Sequence, residues 1–247
     1  MSRSLLPVLL AAALLLLLAP PAAGQDGDGD SDVLPTIAEK TEGLEKRSGF
    51  FPLYWDARTG TVYLEIPRLG EHFLYLQSLP AGLGSNPVSL DRGQLGDEQV
   101  VRFERVGPKV LLVTPNLKYR ASSENPAERK AVREAFAEGV LYGFEAVAES
   151  DGGRRVLVDA TEFMVRPGAY DVAKQLQDAG QGTFSLAESR SAPFMENTKA
   201  FPQNTELAAR LTYTSEDPGA KVRRTRSVTD SGAAAVRRTF APGSSLV

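Results

Sequence analysis

The chain has 247 residues, with 28 Lys and Arg against 31 Asp and Glu, a formal net charge of −3, one histidine and no cysteine. A nearly balanced, slightly acidic composition gives no basic footprint for nucleic acid, and the lack of cysteine removes any disulfide framework or thiolate nucleophile. With His72 the sole imidazole, multi-histidine zinc sites are excluded and a Ser–His triad could be built only on His72, so catalysis would have to run through His72 or through carboxylates alone.

Residues 1–24 read as a signal peptide. Arg3 precedes an apolar run, 5–19, shorter than the roughly 20 residues of a membrane-spanning helix, and Pro20, Pro21, Ala22, Ala23 and Gly24 follow it. The expectation is export to the periplasm or the cell exterior, with no stable membrane insertion once the leader is gone. Loss of Arg3 leaves a net charge of about −4. Residues 25–35 form a flexible acidic linker. Asp28, Asp30, Asp32 and Glu39 have calcium-loop spacing, but Val33 stands where the sharp turn wants glycine, which favours the linker. Thr36 then caps a helix over 37–46, with Glu39 completing a capping box.

From Phe50 the period becomes extended. Residues 50–55 and 61–66 are rich in aromatic and β-branched types and flank a hairpin loop ending at Gly60; 73–79, 99–106 and 109–114 continue the meander, the last two turning at Gly107-Pro108. Later strands are expected at 155–159, 183–186, 206–213 and 233–240. Asn125-Pro126-Ala127-Glu128 starts a helix in which Ala131, Val132, Ala135, Phe136 and Val140 recur at helical spacing, predicting one face buried against a sheet. A second helix over 170–179 closes at Gly180. These elements predict an α+β domain: a mainly antiparallel β-sheet with two or three short helices, preceded by the signal peptide.

Four residues stand out as contacts for a partner or an adjoining domain: Asn86, Asp91 and Arg92 in the long Gly-rich loop 82–96, and Trp55 in the aromatic run. Two plainer readings sit beside this one. Asp91 and Arg92 can satisfy loop backbone, and Phe50, Phe51, Tyr54, Trp55, Tyr63, Phe73 and Tyr75 can be sheet core rather than a stacking platform. Glu65, Asp91, Glu104, Asp159 and Glu162 supply carboxylates, but spacing singles out no catalytic pair. Lys221, Arg223, Arg224, Arg226, Arg237 and Arg238 against the lone Asp230 make a basic strip, expected as a solvated hairpin face or a seam for a following domain.

Segments 49–56, 82–96, 101–103, 115–121, 124–129 and 156–161 together resemble a domain of unknown function that forms the front of large exported bacterial proteins described as zinc-dependent metallopeptidases. The resemblance covers nearly all of the chain after its leader. It implies a zinc site in a later, zincin-like domain carrying His-Glu-x-x-His, where two imidazoles one helical turn apart bind the metal. A chain with one histidine cannot assemble that motif. No catalytic, cofactor or metal residue is therefore transferred to any position here, zinc is expected only in the absent catalytic domain, and the chain alone is expected to be inactive. The resulting division is 1–24 signal peptide, 25–35 linker, 36–215 domain, and 216–247 a basic, truncated tail of the same domain. The expected partner is the missing carboxy-terminal peptidase domain, with no nucleic acid. The alternative is a free-standing exported module that binds glycan or peptide.

Overall fold

A computed structural model describes residues 33–82, 88, 90–168, 171–225 and 231–242. The expected signal peptide, most of the linker, and Asn86 lie outside these residues. All described elements belong to one compact unit, Leu34–Val247.

The first helix is much shorter than its pattern suggests. Thr36 and Glu39 do form the capping box, each side chain bonded to the other's backbone N–H, but α1 is only Ile37–Lys40. Gly43 then turns the chain at φ +75°, and the remainder becomes an edge strand, β1 (Glu45–Arg47), laid against β2 (Leu53–Asp56). Strand pairing thus overrides helical propensity once a glycine has redirected the chain. The hairpin from β2 to β3 (Thr61–Ile66) forms as its loop predicts, with Gly60 at φ +74° donating to the Asp56 carbonyl at 2.8 Å.

The sheet continues with β4 (His72–Ala81), β5 (Gln94–Leu95), β6 (Gln99–Val106) and β7 (Lys109–Thr114), followed by α2 (Pro126–Ala135). Next come β8 (Gly139–Ser150), β9 (Arg155–Asp159), α3 (Thr161–Val165) and α4 (Val172–Asp178). The last part of the chain adds β10 (Ser185–Leu186), β11 (Ala192–Pro193), β12 (Lys199–Phe201), β13 (Asn204–Thr214), α5 (Ala220–Thr225) and β14 (Ser231–Pro242). Strand neighbours run β1-β2-β3-β9-β8-β7-β6-β4-β14-β13-β10, with β5 on β4, and β11 and β12 on β13. Every pair of strands is antiparallel. The fold is therefore mainly antiparallel β-sheet, with five short α-helices among the described residues.

Two strands hold this order together. β8 pairs with β7 through its first half and with β9 through its second, with register shifts in both ladders, so one 12-residue strand carries the sheet round a bend in the way bulges permit. β14 is an inner strand, paired with β13 on one side and β4 on the other. Arg238 on β14 departs from the expected basic strip, because it is 1% exposed while Arg237 pairs with Glu206 at 3.3 Å. A strand buried on one face points alternate side chains inward whatever their charge. Two carbonyls at the end of α3 compensate the Arg238 guanidinium, which donates to Met164 O at 2.8 Å and Arg166 O at 2.7 Å and lies 4.8 Å over the Phe163 ring. Burial holds its pKa below the usual arginine value.

The curl closes where the segment leading into β2 meets β12 and β13. The Phe50 N–H donates to Phe201 O at 2.8 Å. The Thr205 hydroxyl accepts from the Phe51 N–H at 3.0 Å and donates to Phe51 O at 2.9 Å. Approach is so close at Gly49 that a Cβ there would sit 2.6 Å from the Ala200 Cβ and 2.7 Å from the Phe201 nitrogen. Inside the curl, Phe51, Phe73, Phe103, Phe144, Phe163 and Phe240 pack largely edge to face, with ring centroids at 5.0 Å for Phe51–Phe73, 5.2 Å for Phe73–Phe103 and 5.1 Å for Phe144–Phe163. Such pairs contribute about 0.5–1.5 kcal/mol each beyond their buried area.

Candidate interaction surface

Of the residues singled out from sequence, the described ones, Trp55, Asp91 and Arg92, line no common cavity. Trp55 is half-buried on β2 and lines a cavity of 480 Å³ with residues such as Glu42, Leu44 and Arg58, none of them from the loop 82–96. Asp91 accepts the Arg92 N–H at 2.8 Å, a local loop bond, and Arg92 is exposed. The loop is anchored through Val88 and Leu90, at 3% and 0% exposure, rather than held out to solvent throughout. Of the aromatic run, Phe51, Tyr54, Phe73 and Tyr75 are buried, so these rings form core and leave no continuous stacking platform.

The candidate carboxylates are occupied in the fold. Glu65 is 2% exposed and accepts from the Tyr54 hydroxyl at 2.7 Å and from the Arg155 guanidinium. Burial, reinforced by that carboxylate, pushes the Tyr54 phenol well above its usual pKa. Asp159 accepts the Thr161 N–H at the start of α3, and Glu104 pairs with Arg102 at 2.8 Å. His72 is exposed at the start of β4, opposite Arg102 on β6. Among the described residues no three His, Asp or Glu gather as a metal-ligand group.

The surface that does draw chemistry together lies between β7 and β8, and sequence reasoning misread it. Thr114 and Gly139 are paired rungs of one ladder, so residues 115–138 are a long excursion from a single hairpin. Asn116 shapes the outgoing turn, its Oδ1 accepting from the Lys118 and Tyr119 N–H groups and its Nδ2 donating to Tyr119 O. Asn125 caps α2 by accepting from the Ala127 N–H at 2.9 Å, with Pro126 at the first helical position, as the start signal predicts. The predicted burial of that helix fails. α2 contains no buried residue, it ends at Ala135, and Val140 belongs to β8.

Instead, the Phe136 ring stacks on Tyr119 at 4.1 Å between centroids and 12° between planes. Tyr119 is 46% exposed, Phe136 39%, Leu117 37% and Val140 57%. Two adjoining cavities, 450 and 500 Å³, share Asn116, Tyr119 and Phe136. Arg102 and Glu138 close one side through a bidentate pair at 2.9 and 2.6 Å. That contact, chiefly its hydrogen bonds, holds the Glu138 carboxyl below its usual pKa. Arg133 lines the same cavity with no carboxylate partner among the described residues. A larger cavity, 800 Å³, lies beside β10 and β13, but glycine and hydroxyl residues line most of it and it lacks an aromatic or cationic anchor.

The geometry defines an all-antiparallel curled β-domain with a sealed aromatic core and one elaborated hairpin that carries exposed apolar surface. Residues 93–240 match the family described as Domain of unknown function (DUF5117), and the chain belongs to that family. The match includes α2, its cavities and all but the last two residues of the inner strand β14. No curated protein and no solved structure matches the chain.

Proposed function

We propose that this chain is the non-catalytic amino-terminal module of an exported, zinc-dependent metallopeptidase-like protein, where it packs on or gates a catalytic domain carried elsewhere in the polypeptide. The observation that carries the reading is the surface of α2: an amphipathic helix with no buried residue, on a domain whose core is complete without it. Beside α2 the stacked Tyr119 and Phe136 rings stay exposed, and exposed aromatic surface supports an interaction role. Three further features support it: the segmental resemblance to the front of such peptidases, the leader-like run 5–19, and a histidine count of one, which puts a His-Glu-x-x-His helix beyond this chain's own residues.

The test is direct. The purified chain is incubated with zinc, desalted, and assayed for bound metal and for hydrolysis of a casein-type substrate. The expected result is no stoichiometric zinc and no turnover; tight one-to-one zinc accompanied by peptide hydrolysis overturns the proposal.

A further inference from the structure

We infer that the cleft between α2 and the 116–119 turn is a peptide-binding groove, and that its ligand is a polypeptide segment with an apolar anchor side chain flanked by carboxylates. The inference deepens the reading of this same surface by naming a ligand chemistry for it, and its binding test can fail or succeed whatever the zinc and turnover assay returns.

The shape argues for a peptide. The two adjoining cavities, 450 and 500 Å³, are open to solvent, so a ligand would lay side chains into them while its backbone runs across the surface. Their shared wall is the Tyr119–Phe136 stack, a rigid aromatic step against which an aliphatic or aromatic side chain can lie. A bilayer would call instead for a flat apolar face with its cations spread along the flanks. Here Asn116, Arg102 and Glu138 put polar groups into the lining itself.

Charge selects the flanks. The carboxylates nearest the groove are already engaged, Glu138 by Arg102 at 2.6 Å and Glu134 by Lys130 at 3.5 Å. Arg133 inside the groove has no such partner, and Lys118 reaches only the face of Tyr119, at 5.5 Å. Arg120 and Arg129 bond to backbone carbonyls and so keep their full charge. Glu124 and Glu128 stand at the amino-terminal end of α2, where the helix dipole favours them. Arg133 is therefore the cation of the groove lining that no carboxylate engages among the described residues, and a ligand carboxylate can pair with it in bidentate geometry.

The test uses fluorescence anisotropy at low salt with a fluorescein-labelled Asp-Glu-Leu-Phe-Asp-Glu peptide, its Lys-Arg-Leu-Phe-Lys-Arg counterpart, and vesicles of phosphatidylglycerol and phosphatidylcholine. The expected result is saturable binding of the acidic peptide, at least tenfold tighter than the basic one. Arg133→Glu weakens it at least tenfold, and so does Phe136→Ser, while Phe201→Ser, an exposed aromatic outside this groove, leaves it unchanged. Both groove residues are exposed, and circular dichroism with a melting curve confirms that each variant is folded. If Phe136→Ser does not fold, Arg133→Glu alone decides. Equal binding of both peptides, no binding of either, or binding to vesicles without binding to the acidic peptide each overturns the inference.

Discussion

Replacing Thr205 by valine tests the closure of the curled sheet with almost no change in side-chain volume. Thr205 is fully buried and its hydroxyl both donates to and accepts from the backbone of Phe51, itself 4% exposed. Valine keeps the branched shape but strands a buried N–H and a buried C=O. Each such group costs about 1–3 kcal/mol when left unsatisfied, so the pair should destabilise by roughly 2–6 kcal/mol. For a domain of this size a loss of ~3 kcal/mol corresponds to a fall in Tm of about 6–12 °C. Thr205→Ser keeps both hydrogen bonds and loses one methyl group, for about 1 kcal/mol. Urea titration of the three proteins measures the series, and amide exchange at Phe51 localises it, since that N–H should lose protection in the valine variant alone. A Thr205→Val stability within ~0.5 kcal/mol of wild type would refute the closure, because it would mean that the Phe51 backbone is satisfied without Thr205.

Three more outcomes follow from the packing and the groove. Phe103→Ala, at a ring with 0% exposure that meets Phe51, Phe73, Phe144 and Phe240, should cost about 3–5 kcal/mol in denaturant titration, and a loss under ~1 kcal/mol would contradict the central position of that ring. Glu138 has its pKa lowered in the folded chain, so its pair with Arg102 stabilises above the ordinary carboxylate value of 4.5 and fades as pH falls through the lower folded value. The Tm difference between wild type and Glu138→Gln should thus be constant at neutral pH and shrink only below pH 4.5, whereas a difference that grows on acidification would reverse the sign. Replacing 115–138 by Asn-Gly should leave a folded domain, since Thr114 and Gly139 already pair. Circular dichroism and a cooperative melt check this, and collapse to a non-cooperative species would show that the excursion is part of the core.

The sheet was largely legible because its strands announce themselves locally. β3, β6, β7 and β9 have the bounds that alternation and turn residues give them. β8, the strand that joins the two halves of the sheet, went unread although Val140, Tyr142, Phe144, Ala146 and Ala148 alternate along it. The helical spacing from Ala131 to Phe136 extends by chance to Val140, and Gly139 and Gly143 dilute the extended signal; tertiary pairing with β7 settled what the periodicity left ambiguous. Arg238 was misplaced for a related reason. A run of cations reads as a solvated face until the strand's own two-residue period is known to have one side in the core.

The same distinction governs what was legible of the site. Helix amphipathicity shows that α2 has an apolar face but carries no information about what covers it, and the usual assumption that the sheet does so placed Phe136 in a core it never enters. The rungs on either side show why. Because β7 and β8 are already registered at Thr114 and Gly139, a turn of two to five residues would complete the hairpin, and the polypeptide between them makes no contribution that the sheet requires. A connection that is far longer than its geometry demands, is ordered by Asn116 and Asn125 and carries an exposed Tyr119–Phe136 stack is uncommon in a compact domain unless it has a function. Phe103 and Phe136 are the same residue type in the same domain. The first is held by the rings of the sheet core, whereas the second packs on Tyr119 at the edge of the excursion and stays 39% exposed, which is why the proposed groove is tested at Phe136.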